Sequence, residues 1–139
     1  MQKIRCLVWF SVLVLFGCAS GTSAPNVMEV QASGDKKIEV NDSRLAKKIT
    51  FGEVNLRNPG GGLEAQVIIQ NTTKRDVAFE YRFLWYDASG FEVSALTAWI
   101  PASLSGMEGR AFSSTAPMAK AERFKLMIRA PHPLTDRSQ

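Results

Sequence analysis

From Lys48 to Arg129 the apolar residues recur at every second position, the spacing of strands half-buried in a sheet rather than of helices. In the run from Leu63 to Asn71, Leu63, Ala65, Val67 and Ile69 share one face. Val77, Phe79, Tyr81, Phe83 and Trp85 share another, opposite Glu80 and Arg82. Phe124, Leu126 and Ile128 alternate with Lys125, Met127 and Arg129. A chain patterned in this way must build sheets and press their apolar faces together, because one half-apolar sheet cannot bury itself.

The punctuation belongs to the same class of fold. Asn58-Pro59-Gly60-Gly61-Gly62 separates the first two strong strands, and Asp87-Ala88-Ser89-Gly90 has the chemistry of a tight turn leading into Phe91-Glu92-Val93. Pro101, Gly106, Gly109, Pro117, Pro131 and Pro133 interrupt the later segments, and no window from 48 to 130 sustains a long amphipathic helix. The pattern predicts strands near 48–57, 63–71, 76–86, 91–94, 96–101, 109–115 and 122–130. This number of short strands in one stretch points to an all-β, immunoglobulin-like antiparallel β-sandwich over residues 47–131, with Trp85 as a core tryptophan. A small open β-barrel is the alternative. Residues 132–139 are read as a C-terminal tail.

Ahead of this domain the sequence changes character. Ala19 to Asn26 is small and polar, with nothing to pack, and reads as a tether. Residues 27–40 admit two readings: more tether, or short edge strands around Gly34-Asp35 built on Val27, Met28, Val30, Ile38 and Val40. If all of 19–46 were flexible it would span about 30 Å root-mean-square and at most roughly 95 Å. Pairing of residues 27–40 would shorten that reach sharply.

The first seventeen residues have a basic start, Lys3 and Arg5, and an apolar run from Leu7 to Phe16. That run is shorter than the roughly 20 residues a membrane-crossing helix needs, and it fits the apolar region of a secretion signal. An uncleaved anchor is the alternative. Leu15-Phe16-Gly17-Cys18 resembles the bacterial lipobox. The resemblance implies that the Cys18 sulfur receives a diacylglyceryl group, that residues 1–17 are removed, and that the new amine is acylated. Several acyl chains hold a protein at a membrane where a single chain binds only marginally. By the sorting rule of such lipoproteins, Ala19 in place of an aspartate implies the periplasmic face of the outer membrane.

Removal of residues 1–17 leaves 122 residues and takes the formal charge from +4 to +2. So small an excess, with no long basic cluster interleaved with aromatics, does not indicate nucleic acid. Of the two cysteines, Cys6 leaves with the signal and Cys18 is consumed by lipid, so the fold must stand on its apolar core without a disulfide.

Residues that could carry chemistry are sparse. His132 is the only histidine and lies between two prolines, with no second histidine or free cysteine to share a metal. Ser113 and Ser114 occupy no nucleophile turn of the Gly-x-Ser-x-Gly kind. Glu53, Glu64, Asp76, Glu80, Asp87 and Glu92 are scattered over strands and turns, whereas a glycosidase needs two carboxylates across one cleft. Gly60-Gly61-Gly62 lacks the following helix and lysine of a phosphate loop, and reads as a hairpin or corner. Asn71 reads as a strand end whose side chain holds the Thr72-Thr73-Lys74 turn. No catalytic, cofactor-binding or metal-binding residue is expected, and no cofactor.

Aromatic residues are the remaining candidates. Trp85, Tyr86, Phe91 and Trp99 gather around the predicted hairpin, and aromatics serve both as core filling and as interface anchors. Alternation puts Tyr86 on the face opposite Trp85, so Tyr86 and Trp99 are the candidate partner-binding residues if they point outward. The lipobox, the polar tether, Val67-Ile68-Ile69-Gln70-Asn71-Thr72-Thr73, Tyr81-Arg82-Phe83-Leu84-Trp85-Tyr86-Asp87-Ala88-Ser89-Gly90 and Trp99 together resemble the YcfL family of small proteobacterial lipoproteins. The resemblance implies work in the cell envelope, since in enterobacteria that family neighbours a lipoprotein activator of peptidoglycan synthesis. It brings no catalytic or ligand residues. The expected function is a noncatalytic, membrane-anchored accessory module that binds an envelope protein or cell-wall component. The alternatives are a chaperone-like strand-addition domain, or a glycan or small-molecule binder with an aromatic platform.

Overall fold

The computed structural model describes residues 23–95 and 97–132. The expected signal segment, the lipobox-like Leu15-Phe16-Gly17-Cys18, Leu96 and most of the expected C-terminal tail lie outside the described residues. Eight strands and one short helix follow in the order β1 (Asn26–Gln31), β2 (Lys36–Glu39), α1 (Ser43–Ala46), β3 (Ile49–Arg57), β4 (Glu64–Asn71), β5 (Val77–Asp87), β6 (Ile100–Leu104), β7 (Gly109–Thr115) and β8 (Ala121–Arg129).

They form two antiparallel sheets, one ordered β2-β1-β8-β5-β6 and one ordered β3-β4-β7, packed face to face and not closed into a barrel. The expected all-β sandwich is therefore the architecture, with its own strand order: β1 lies directly beside β8.

Alternation sorts the residues as the pattern predicts. Ala65, Val67 and Ile69 of β4 are fully buried, as are Phe124, Leu126 and Ile128 of β8. From β5, Phe79, Phe83 and Trp85 enter the core, and Tyr81 packs against it at an edge-on 4.8 Å from Phe112 of β7. Trp85 lies 5.3 Å from Phe124 and donates its indole N–H to the Ser114 hydroxyl on the other sheet, 3.0 Å away. A large apolar ring with one satisfied polar handle thus ties the layers together.

Residues 27–40 join the sheet. Met28 and Val30 are buried, and β1 pairs with β8 over its whole length, so of these two strands β1 is interior and β2 lies at an edge. α1 is too short for helical periodicity to reveal it. It exists because the Asp42 carboxylate accepts the amides of Arg44 and Leu45, each at 3.0 Å, and because Leu45 is buried.

Two strand expectations are corrected. Residues 91–94 form no strand of their own. Glu92 makes an isolated bridge to Tyr86, and the Val93 amide reaches the Trp85 carbonyl at 2.8 Å. The strand expected at 96–101 instead begins at Ile100 and runs to Leu104, because Trp99 leaves the ladder to stack on side chains of the sheet face. Pro101 is tolerated because β6 is an edge strand. The Asp87–Gly90 turn forms as its composition implies. Asp87 Oδ1 accepts the amides of Ser89 and Phe91, and Gly90 takes a φ of 88°, which favours glycine.

Asn71, fully buried at the end of β4, is the most heavily bonded polar side chain. Its Oδ1 accepts the Thr73 amide and hydroxyl, holding the following turn as expected. Its Nδ2 donates to the carbonyls of Arg75, Leu104 and Ser105, the last two at the end of β6 on the opposite sheet. Asn71→Ala leaves these groups unpartnered in the interior and should cost about 3 kcal/mol or more, given roughly 1–3 kcal/mol for each buried polar group left unsatisfied. Urea unfolding measures the loss. A change below about 1 kcal/mol would show that water replaces the amide.

Candidate functional site

The alternation that fills the core places a second set of residues on the outer face of the five-stranded sheet. β5 contributes Glu80, Arg82, Leu84 and Tyr86. Pairing with β8 sets them beside Arg129, Met127, Lys125 and Arg123 respectively. β1 adds Val27 next to Met127 and Glu29 next to Lys125. Opposite charges interlock across these strands: Arg129 donates to Glu80, while Glu29 lies 3.4 Å from Arg123 and 3.7 Å from Lys125.

Thr97 and Trp99, just ahead of β6, fold back over this face. Arg82 Nη1 donates to the Thr97 carbonyl at 3.0 Å, and the half-buried Trp99 ring lies against two guanidinium groups. Arg82 Cζ is 4.4 Å and Arg129 Cζ 4.2 Å from the ring centroid. The negative face of the indole and the Glu80 carboxylate together offset the repulsion between the two cations. Arg82 Nε and Arg123 Nε are buried without a hydrogen-bond partner among the described residues.

Trp99 and Arg129 also line a groove of about 810 Å³ at the end of the sandwich, together with Arg44, Lys48, Val77 and His132. Ser23, Ala24 and Pro25 form part of its wall, so the groove lies where the chain enters the domain.

Tyr86 is half-buried on the same outer face, with Arg123 5.5 Å and Lys125 5.3 Å from its ring centroid. It lines a separate hollow of about 150 Å³ with Glu29, Lys37, Leu84, Lys125 and Met127. Arg82 beneath Trp99 and Tyr86 are four positions apart on β5, about 13 Å along the strand. The two candidate residues therefore share a face but stand in different hollows. Burial, reinforced by the nearby Glu92 carboxylate, pushes the Tyr86 phenol above its ordinary pKa, against the opposing pull of Arg82.

The remaining candidates take structural places. Ser114 holds Trp85, while Ser113 is exposed. Glu64 pairs with Arg57, Glu80 with Arg129 and Asp87 with Lys120, and Glu53, Asp76 and Glu92 are exposed. His132 is exposed at the groove. Among the described residues no group of three or more histidine, cysteine, aspartate or glutamate side chains could hold a metal ion. Sequence reasoning missed Arg82 and Arg129 as partners of Trp99, and Arg44 and Lys48 as lining of the groove beside it. Strand alternation places Arg82 and Arg129 on outer faces, but their meeting under one ring depends on the β5–β8 register and on the returning loop.

Two packed antiparallel sheets, with an outer face of paired charges and half-buried aromatic rings, define a small β-sandwich protein. The chain belongs to the DUF1425 family: the family model, described as a protein of unknown function, matches residues 36–130. It is similar to the crystal structure of a DUF1425 family member from Shewanella sp. pv-4, with 26% identity and a TM-score of 0.56 over 60% of this chain and 79% of the other. It is also similar to cj0090 of Campylobacter jejuni, at 22% identity and a TM-score of 0.49 over 57% and 83% of the two chains. No curated protein matches the chain.

A raised phenol pKa means that the folded state holds the Tyr86 proton more tightly than the unfolded chain does. The resulting stabilisation is complete below the unfolded value, about 10, and is lost as pH rises through the folded value. Urea unfolding at rising pH should show the wild type losing stability relative to Tyr86→Phe above about pH 10. Parallel curves would mean that the phenol is solvated in the folded state.

Proposed function

We propose that the protein is a noncatalytic lipoprotein of the YcfL type, anchored through Cys18 at the periplasmic face of the outer membrane. Its sandwich serves as an accessory module that binds an envelope protein or a cell-wall component. The observation that carries the reading is the position of Leu15-Phe16-Gly17-Cys18: the anchor cysteine stands eight positions before β1, so the folded domain follows the lipid site almost at once. Membership of the DUF1425 family is consistent with the YcfL resemblance. The outer face of the five-stranded sheet supports the binding role, since Trp99 and Tyr86 are held there on cations rather than spent in the core. No nucleic-acid partner and no cofactor belongs to this reading. The groove beside Trp99 favours a second reading, a glycan or small-molecule binder with an aromatic platform.

Cys18→Ser should abolish incorporation of labelled palmitate and release the protein from the membrane fraction. A variant that still fractionates with membranes would sink the anchor. Affinity capture from cells, with a cleavable tag on the wild type, identifies the occupant: a stoichiometric envelope protein supports the protein-binding accessory module, and wall fragments alone support a cell-wall or glycan ligand. Trp99→Ala should weaken capture by more than the roughly 1 kcal/mol it costs the fold through lost cation–π contacts. Tyr86→Ala should do likewise. Undiminished capture by both variants would move the partner site away from this face.

A further inference from the structure

The end of the sandwich at which the chain enters is strongly basic. Arg44, Lys47 and Lys48 come from α1 and the turn after it, and Lys74 and Arg75 from the β4–β5 turn. These cations are brought together by backbone contacts: the Thr72 hydroxyl donates to the Lys47 carbonyl at 3.0 Å and the Thr72 amide to that of Lys48 at 2.8 Å. The buried Asn26 fixes the same region to the start of β1. Its Oδ1 accepts the amides of Asn41 and Asp42, its Nδ2 donates to the Asp42 carbonyl, and Asn41 Nδ2 donates to the Pro25 carbonyl. The point of chain entry and the basic cluster are therefore parts of one rigid corner.

All five cations are exposed, and none is in an ion pair among the described residues. The nearby carboxylates do little to neutralise them. Asp42 is buried and spends Oδ1 on the amides of α1, and Glu108 is drawn to the Ser105 amide and Arg110, leaving Asp76, and Glu39 opposite Val27 on β2, as exposed counter-charges to five cations. At the opposite end, the cations Lys120 and Arg57 are paired with Asp87 and Glu64, while the exposed Lys36 and Lys37 of β2 are in no ion pair among the described residues.

Five positions separate Cys18 from Ser23, where the described chain begins, a span of at most about 18 Å. Resting on the anchor at Cys18 argued above, this short connection would hold the basic end close to the bilayer, at high effective concentration. We propose that the corner formed by Arg44, Lys47, Lys48, Lys74 and Arg75 docks on anionic phospholipid headgroups of the leaflet that holds the Cys18 acyl chains. The acyl chains supply residence and the cations supply orientation, which leaves the Tyr86 side of the sheet directed away from the membrane.

The test uses the chain from Cys18 onward, which contains every described strand, with Cys18→Ser so that no acyl chain contributes. Sedimentation with vesicles of phosphatidylglycerol in phosphatidylcholine should carry the protein down, vesicles of phosphatidylcholine alone should not, and raising salt from about 0.05 to 0.5 M should release it. Each cation removed should lower the partition about fivefold, so Lys47→Gln/Lys48→Gln/Lys74→Gln should lose on the order of a hundredfold. Lys36→Gln/Lys37→Gln, on β2 at the far end, is the control and should lose far less.

Equal sedimentation with both vesicle types would overturn the docking surface, as would equal loss in the control. Capture by acidic wall polysaccharide in place of vesicles would also overturn it. These failures are distinct from failure of the anchor: a chain that takes up palmitate yet ignores phosphatidylglycerol keeps the lipid and loses the docking face. A chain that binds phosphatidylglycerol but takes up no palmitate does the reverse.

Discussion

The buried amide of Asn71 is the contact on which the sandwich most depends. It ends β4, holds the turn into β5 and satisfies two carbonyls at the end of β6, so a single side chain joins the three-stranded sheet to the five-stranded one. Apolar attraction is non-directional, whereas a fully satisfied amide in the interior has one geometry. Asn26 does related work nearby, tying the first strand to the loop before α1. The chain crosses between layers at these points, and the register of β5 against β8 then fixes which side chains of the two strands are neighbours on the outer face.

That outer face follows from the core. The alternation that sends Phe83 and Trp85 inward leaves Arg82 and Tyr86 outward, and the same rule on β8 leaves Arg123, Lys125 and Arg129 outward. Cations on neighbouring strands repel unless something stands between them. Here Glu29 and Glu80 interleave, and the rings of Trp99 and Tyr86 lie against the guanidinium and ammonium groups. The surface is thus ordered rather than merely solvated, the condition under which aromatic side chains make firm contacts with a partner at small entropic cost.

The ends of the domain are unequal. One receives the incoming chain, gathers five exposed cations in no ion pair among the described residues and opens into the groove beside Trp99, while at the other end Lys120 and Arg57 are paired and Lys36 and Lys37 stand exposed. A domain tethered closely at one end has its orientation biased by whatever charge lies there, since exposed charges act within about 8 Å at physiological ionic strength. In the proposed anchored protein this asymmetry separates a membrane-facing end, which includes the groove beside Trp99, from the Tyr86 side of the sheet, which stays available to the envelope.

Much of the fold was legible in the residues themselves. Period-two alternation marked β3, β4, β5, β7 and β8 to within a residue or two, the chemistry of Asp87 and Gly90 marked their turn, and Asn71 was recognisable as a turn-holding strand end. These features are local: each depends on a few neighbouring side chains and on which face of one strand is apolar. The short β1 and β2 were ambiguous because their alternation covers too few positions, and only pairing with β8 selects sheet over tether. Trp99 was read as a strand residue because local pattern cannot register a ring captured by two arginines distant in sequence. The sequence by itself determined an all-β chain, its inward residues and its polar turns. Tertiary structure alone decided which cations share an end, where the chain enters, and that Tyr86 and Trp99 occupy separate hollows, because those relations arise from strand order and register.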